Sequence, residues 1–204
     1  MHSFASIPNQ IGSLSSLDET IQIRSPKLNR KPGLVIWLCG LSGAGKSTIG
    51  DAALETFWSL GIDATRLDGD DLRSGLNKDL GFSDIDRTEN LRRAAHVAQI
   101  LADHGFVVLA SFITPLQIDR NRIREIIGSR YLEVFIGTSL EECERRDPKG
   151  LYKLAREGKI SQFTGVSSKF EFPENPDLII QTEKIPLNDC VCNIINLVEE
   201  KLGK

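Results

Sequence analysis

The chain has 204 residues, 40% of them hydrophobic and 26% charged, with a formal net charge of −3; this predicts one ordinary soluble domain with room for a good core. The acidic balance argues against a nucleic-acid partner, and no apolar run approaches the ~20 residues of a membrane span. Small-molecule substrates, with no nucleic acid and no membrane, are expected.

Residues 1 to 32 are rich in Ser, Asn, Gln and Pro without a sustained apolar period. They read as a flexible N-terminal arm ahead of a single domain over residues 33 to 204. The arm lacks a basic stretch followed by an apolar one, and Asp18, Glu19 and the scarcity of Arg do not fit a transit peptide. A cytoplasmic location is expected. Cys39, Cys143, Cys190 and Cys192 follow neither zinc spacing nor a secreted disulfide framework and read as reduced thiols. His2, His96 and His104 have no acidic partner at metal-ligand spacing, which argues against a transition-metal site.

The domain opens with Leu34 to Cys39, a continuous apolar run of the kind a buried parallel strand presents. Gly40-Leu41-Ser42-Gly43-Ala44-Gly45-Lys46-Ser47 follows and fits G-x-x-x-x-G-K-[ST]. Thr48 to Leu60 then has helical spacing. Glycines between a strand and a helix let successive N–H groups curl around a phosphate, and the helix presents its positive dipole end to the same anion. Lys46 then reaches the β- and γ-phosphates and Ser47 binds Mg²⁺. A nucleoside triphosphate is the expected ligand.

Further strands are expected at Ala64 to Leu67, Phe106 to Ser111, Tyr131 to Ile136 and Leu178 to Gln181. Helices are expected at Asp84 to His104, just after Pro115 through about Ile127, and at Asn188 to Leu202. This βαβ alternation predicts a three-layer α/β fold of the P-loop type, a parallel sheet flanked by helices. Ligands bind such sheets at the carboxyl ends of the strands, so chemistry should cluster after positions 39, 67, 111 and 136.

Asp68-Gly69-Asp70-Asp71 stands at one such end. Its carboxylates suit Mg²⁺ and proton abstraction from a hydroxyl; an acidic turn or a helix cap, with Asp71 as the capping residue, stays open. Beyond it, Arg73, Asn77, Arg87, Asn90, Arg92 and Arg93 surround the apolar tip Leu80-Gly81-Phe82-Ser83. An anionic aromatic ligand needs such forks and rings; pairing of these arginines with Asp84, Asp86 and Glu89 along a helix is the alternative. The basic segment Arg145 to Lys153, with Arg156 and Lys159, reads as a lid over phosphates or as a solvated basic helix.

Gly40 to Thr48, Leu67 to Arg93, Asp147 to Tyr152 and Phe163-Thr164-Gly165 together resemble the adenylylsulfate kinases, over nearly all of residues 32 to 203. The stretch Asp68-Gly69-Asp70-x-x-Arg73-x-Gly75-Leu76-Asn77-x-Asp79-Leu80-Gly81-Phe82-Ser83 is the most specific part. The resemblance implies transfer of the ATP γ-phosphate to the ribose 3′-hydroxyl of adenylyl sulfate by a homodimer. It further implies that Gly40, Ser42, Gly43, Ala44, Gly45, Lys46, Ser47 and Thr48, with Arg145, bind ATP, and that Ser47 and Asp70 serve Mg²⁺. Phe82 and Phe163 sandwich the acceptor adenine; Arg73, Arg87 and Asn90 hold the phosphosulfate, alongside Asp68, Ile113, Thr114, Lys149 and Leu151. Lys46, Asp68, Asp70, Lys149 and Thr114 are the implied catalytic group.

The chain departs from the family pattern at three positions. Asp71 stands where Asn is usual, Thr114 stands where some members have been assigned a phosphorylated serine, and Gln117 replaces an arginine. Asp71 and Gln117 make the site less positive, which leaves a kinase of the same scaffold acting on another nucleotide-linked small molecule as an alternative.

Overall fold

The computed structural model describes residues 32–203. The arm expected at 1 to 32 lies outside them, save Pro32. Five strands form one parallel sheet in the order β2-β3-β1-β4-β5, with β1 Val35–Cys39, β2 Ala64–Asp68, β3 Val107–Ser111, β4 Tyr131–Ile136 and β5 Leu178–Ile180. The connections carry α1 Lys46–Ser59, α2 Gly69–Ser74, α3 Asp84–Asp103, α4 Gln117–Ile127, α5 Leu140–Arg146 and α6 Leu151–Arg156, and α7 Leu187–Leu202 closes the chain.

Each central strand is buried on both faces because its side chains alternate between two helical layers. Ile36 and Leu38 of β1 join Leu109, Leu132 and Val134 in the core that includes Ile49, Phe57 and Ile194 from α1 and α7. Val35, Trp37 and Cys39 point the other way, toward Leu91, Ala94 and Ala98 of α3 and Ile123 of α4. The run of alanines on α3 lets that helix approach the sheet closely. Trp37, fully buried, stacks on Phe112 with ring centroids 4.7 Å apart, a geometry that adds about 0.5–1.5 kcal/mol beyond area burial. Among the described residues no helix is long and apolar enough to cross a membrane.

Strand positions agree with the periodicity to within one residue at each end, and β4 coincides with it. Two helix starts move by more than one residue, each for a local reason. The first helix begins at Lys46 rather than Thr48, because Gly45 adopts a left-handed φ of 103° and serves as its N-cap. Asp68, not Asp71, caps the short helix α2: its carboxylate accepts the Asp70 N–H at 3.0 Å. The expected lid segment becomes two short helices, α5 and α6. Its Asp147 carboxylate, on a residue with φ 24°, accepts the N–H groups of Tyr152 and Lys153, each at 3.1 Å.

Candidate functional site

A cleft of ≈ 1010 Å³ opens at the carboxyl ends of β1, β2 and β3, with the α5–α6 segment across it. Ser42, Gly43, Gly45, Lys46, Ser47 and Thr48 form one end. Gly40 and Ala44 lie behind this loop and hold it in place: Gly40 N–H donates to Ile113 O at 3.2 Å, and the Ala44 carbonyl accepts from the Thr138 hydroxyl at 2.9 Å. Gly40 has φ 148°, and a Cβ there would meet the Ile136 carbonyl at 2.6 Å, so a larger residue would displace the loop.

Lys46 is buried, and its ammonium donates to the carbonyls of Gly40 and Leu41 at 3.0 and 2.7 Å. Burial pulls its pKa down to about 8. An anion entering the loop would restore the favourable partner that the buried cation lacks. The Ser47 hydroxyl donates to Asp68 Oδ2 at 2.7 Å. Asp70 instead faces the lid, where Lys149 Nζ donates to its Oδ2. The carboxylate beside Ser47 is therefore Asp68, whereas the resemblance implies Asp70 as its partner at the metal.

The other end of the cleft is built around Phe82, which is 62% exposed. The Arg73 guanidinium lies 4.5 Å from the ring centroid and that of Arg87 5.7 Å from it. Arg73 donates to Gly81 O at 2.8 Å, while Arg87 ties two loops together by donating to Phe82 O and Gln162 O, each at 2.9 Å. Burial lowers the pKa of both, and the charge of Arg87 further lowers that of Arg73. Two partly desolvated like charges facing one space favour an anion between them. By contrast, Arg92 and Arg93 pair with Glu89, and Arg93 also with Asp79, on the helix surface. Arg92 and Arg93 thus follow the helix-pairing alternative, while Arg73 and Arg87 flank the exposed ring.

Phe163, 8% exposed, lines the same cleft and meets the Tyr152 ring edge-on at 4.9 Å. The Tyr152 hydroxyl donates to Ser42 O at 3.0 Å, linking α6 to the phosphate loop. Asn90, Ile113, Thr114, Lys149 and Leu151 also line the cleft. Asn90 is buried and accepts from the Asn77 amide at 2.9 Å. Thr114 is fully buried, and its hydroxyl accepts from Trp37 Nε1 at 2.8 Å.

Arg145 does not face the cleft; its side chain is 73% exposed and pairs with Glu142 at 2.6 Å. Arg146 lines the cleft in its place, donating to the Thr182 hydroxyl at 2.9 Å and lying beside the loop residue Gly45. Helical phase carries the signal for this: Cys143 points inward from α5, and a residue three positions on shares its face. Lys159 of the basic segment joins the lining as expected of a lid, and Ile160 and Ser161 join it without a motif to mark them. Neither departure that made the site less positive lies in the cleft wall. Asp71 is neutralised by Arg66 at 2.9 Å, and Gln117 accepts from the Arg120 guanidinium at 2.9 Å.

The family model described as adenylylsulphate kinase matches residues 32–181. The chain is 45% identical over 174 residues to the adenylyl-sulfate kinase of Clostridium acetobutylicum, covering 85% of this chain and 87% of that protein. It is 46% identical over 184 residues to the adenylyl-sulfate kinase of Emericella nidulans, covering 86% and 89%. Among solved structures, the Mycobacterium tuberculosis APS kinase CysC in complex with AMPPNP and APS superposes with a TM-score of 0.80 at 46% identity. That match covers 82% of this chain and 98% of the other.

Proposed function

The chain belongs to the adenylylsulfate kinase family, and from that premise we propose how the cleft divides the work between its residues. The enzyme transfers the γ-phosphoryl group of ATP to the ribose 3′-hydroxyl of adenylyl sulfate, giving ADP and 3′-phosphoadenylyl sulfate. The observation that carries the site assignment is the arrangement of one cleft, with a phosphate loop at one end, an arginine-flanked ring at the other and Asp68 and Asp70 between them.

The loop N–H groups and the N-terminus of α1 bind the β- and γ-phosphates, and Lys46 leaves its own loop carbonyls for them. Arg146, held by the Thr182 hydroxyl, faces the nucleotide side. Ser47 and Asp68 fit Mg²⁺, because a hydroxyl and a carboxylate 2.7 Å apart are hard oxygen donors. Among the described residues no group of three or more His, Cys, Asp or Glu is placed to hold a metal by itself, so the nucleotide shares in holding the ion. When bound, the ion offsets negative charge on the phosphate oxygens.

On the acceptor side, Phe82 and Phe163 stack on adenine, and Arg73 and Arg87 hold the phosphosulfate. The 3′-hydroxyl oxygen bonds to the γ-phosphorus as the bond to the β–γ bridging oxygen breaks, and Asp70 takes the hydroxyl proton. Lys149, which pairs with Asp70 across the mouth, travels with the lid to the transferring group, where its charge is stabilising. A closed lid also excludes water that would otherwise take the phosphoryl group.

The proposal extends to a homodimer in the cytoplasm. Exposed Ile85, Ile118, Phe172 and Ile179 support association, and four free cysteines support a reducing compartment. The activity test is ADP release with MgATP in the presence and absence of adenylyl sulfate, with chromatography of the nucleotide product. A 3′-phosphorylated product that requires both substrates is expected; ATP binding without it overturns the acceptor assignment.

A further inference from the structure

Arg120 on α4 is 0% exposed, and no part of it reaches the cleft. Its Nη1 donates to the Thr114 carbonyl at 2.8 Å and its Nη2 to the Glu171 carbonyl at 2.8 Å. Behind it, Nε lies 3.3 Å from Oε1 of Glu133, a carboxylate on β4 that is also enclosed. A buried ion pair is a poor device for stability, since desolvation consumes most of the attraction. Its geometry shows another use.

Thr114 needs external support. Its φ of 45° is left-handed, a region that strains a β-branched residue. The strain is held from three sides: Trp37 grips the hydroxyl, Arg120 grips the carbonyl, and the preceding carbonyl of Ile113 accepts from Gly40 of the phosphate loop. Pro115, next in the chain, accepts at its carbonyl from Glu171 N–H at 2.8 Å, and Arg120 holds the Glu171 carbonyl in turn. Ile113, Thr114 and Pro115 all line the cleft.

We propose that Arg120, set in place by Glu133, is a positioning residue for acceptor binding: its guanidinium fork fixes Thr114 and Glu171 together and so shapes the cleft wall against which adenylyl sulfate lies. The proposal rests on the acceptor assignment above. A lysine cannot replace it, because a point charge on a flexible stem does not hold two carbonyls at fixed angles.

The test compares the parent with Arg120→Lys and with the double variant Arg120→Met/Glu133→Leu. The double variant removes both charges, so it avoids the isolated buried carboxylate that Arg120→Met alone would leave and melts within about 4 °C of the parent. Its KM for adenylyl sulfate rises about tenfold or more while its KM for ATP stays within about twofold. Arg120→Lys shifts the same ratio in the same direction and gives the answer if the double variant fails to fold. Parental KM values in a folded variant, or equal rises for both substrates, overturn the positioning role. A parent that binds ATP but does not turn over adenylyl sulfate overturns the acceptor reading instead, and that failure is visible before any variant is made.

Discussion

The Ser47 hydroxyl donates to Asp68 Oδ2 at 2.7 Å, so the first turn of α1 and the last residue of β2 meet at the mouth of the phosphate loop. The same carboxylate caps α2 through the Asp70 N–H. Asp68→Asn separates the two duties, because an Asn oxygen still caps a helix but carries no charge. Its kcat should fall on the order of 10²-fold with an unchanged melting temperature. Steady-state kinetics beside a thermal melt decide it, and parental kcat would remove Asp68 from the reaction.

Phe82 and Phe163 should respond differently to truncation although both face the acceptor. Phe82 is 62% exposed and Phe163 is 8% exposed against Tyr152. Phe82→Ala should leave stability nearly unchanged and weaken adenylyl sulfate binding by about 1–3 kcal/mol through lost stacking. Phe163→Ala should show that loss plus about 3–5 kcal/mol of destabilisation from the vacated core. Denaturant melts and acceptor titrations on both variants make the comparison; an equal stability cost would mean that Phe82 packs inside.

Much of the fold is legible in sequence because a doubly buried sheet writes itself as short apolar runs. Val35 to Cys39 is the clearest case, apolar and buried at every position. The phosphate loop is equally legible, since its function depends on local glycines and the adjacent helix. What could not be read depends on contacts between distant segments. Lys149 meets Asp70 across 79 positions, and Arg120 meets Glu171 across 51, through loops whose paths only the assembled sheet determines. The capping role of Asp68 and the Arg145 and Arg146 distinction fall between these cases. Both turn on a shift of one to three residues in where a short helix starts or faces.

Two adjacent arginines provide a test of that facing. Arg146 reaches Thr182 and the phosphate loop, whereas Arg145 pairs outward with Glu142. Arg146→Ala should raise the KM for ATP about tenfold, the loss of one charge-assisted hydrogen bond. Arg145→Ala should change neither KM by more than about twofold, as exposed ion pairs contribute little. The reverse ranking would show that α5 is rotated in the working enzyme.

Cysteine reactivity tests the packing on both faces of the sheet at once. Cys39, Cys143 and Cys190 are buried, while Cys192 is exposed on α7. Burial, with Glu133 close by, pushes the Cys39 thiol up to about 12, and burial also raises Cys143 and Cys190. Thiolates are the reactive species, so these three should resist alkylation in the native protein even at mildly alkaline pH. Cys192 should react rapidly and alone, and Cys192→Ser should abolish the fast phase without changing either KM, since α7 lies apart from the cleft lining. Denaturant should then release the three remaining thiols together as the sheet and its helices open in one transition. A second fast thiol in the folded state would locate a layer that opens on its own. Mass mapping of that site would tell whether the β1 face next to Glu133, the α5 contact next to Lys46 or the packing of α7 is the loose one.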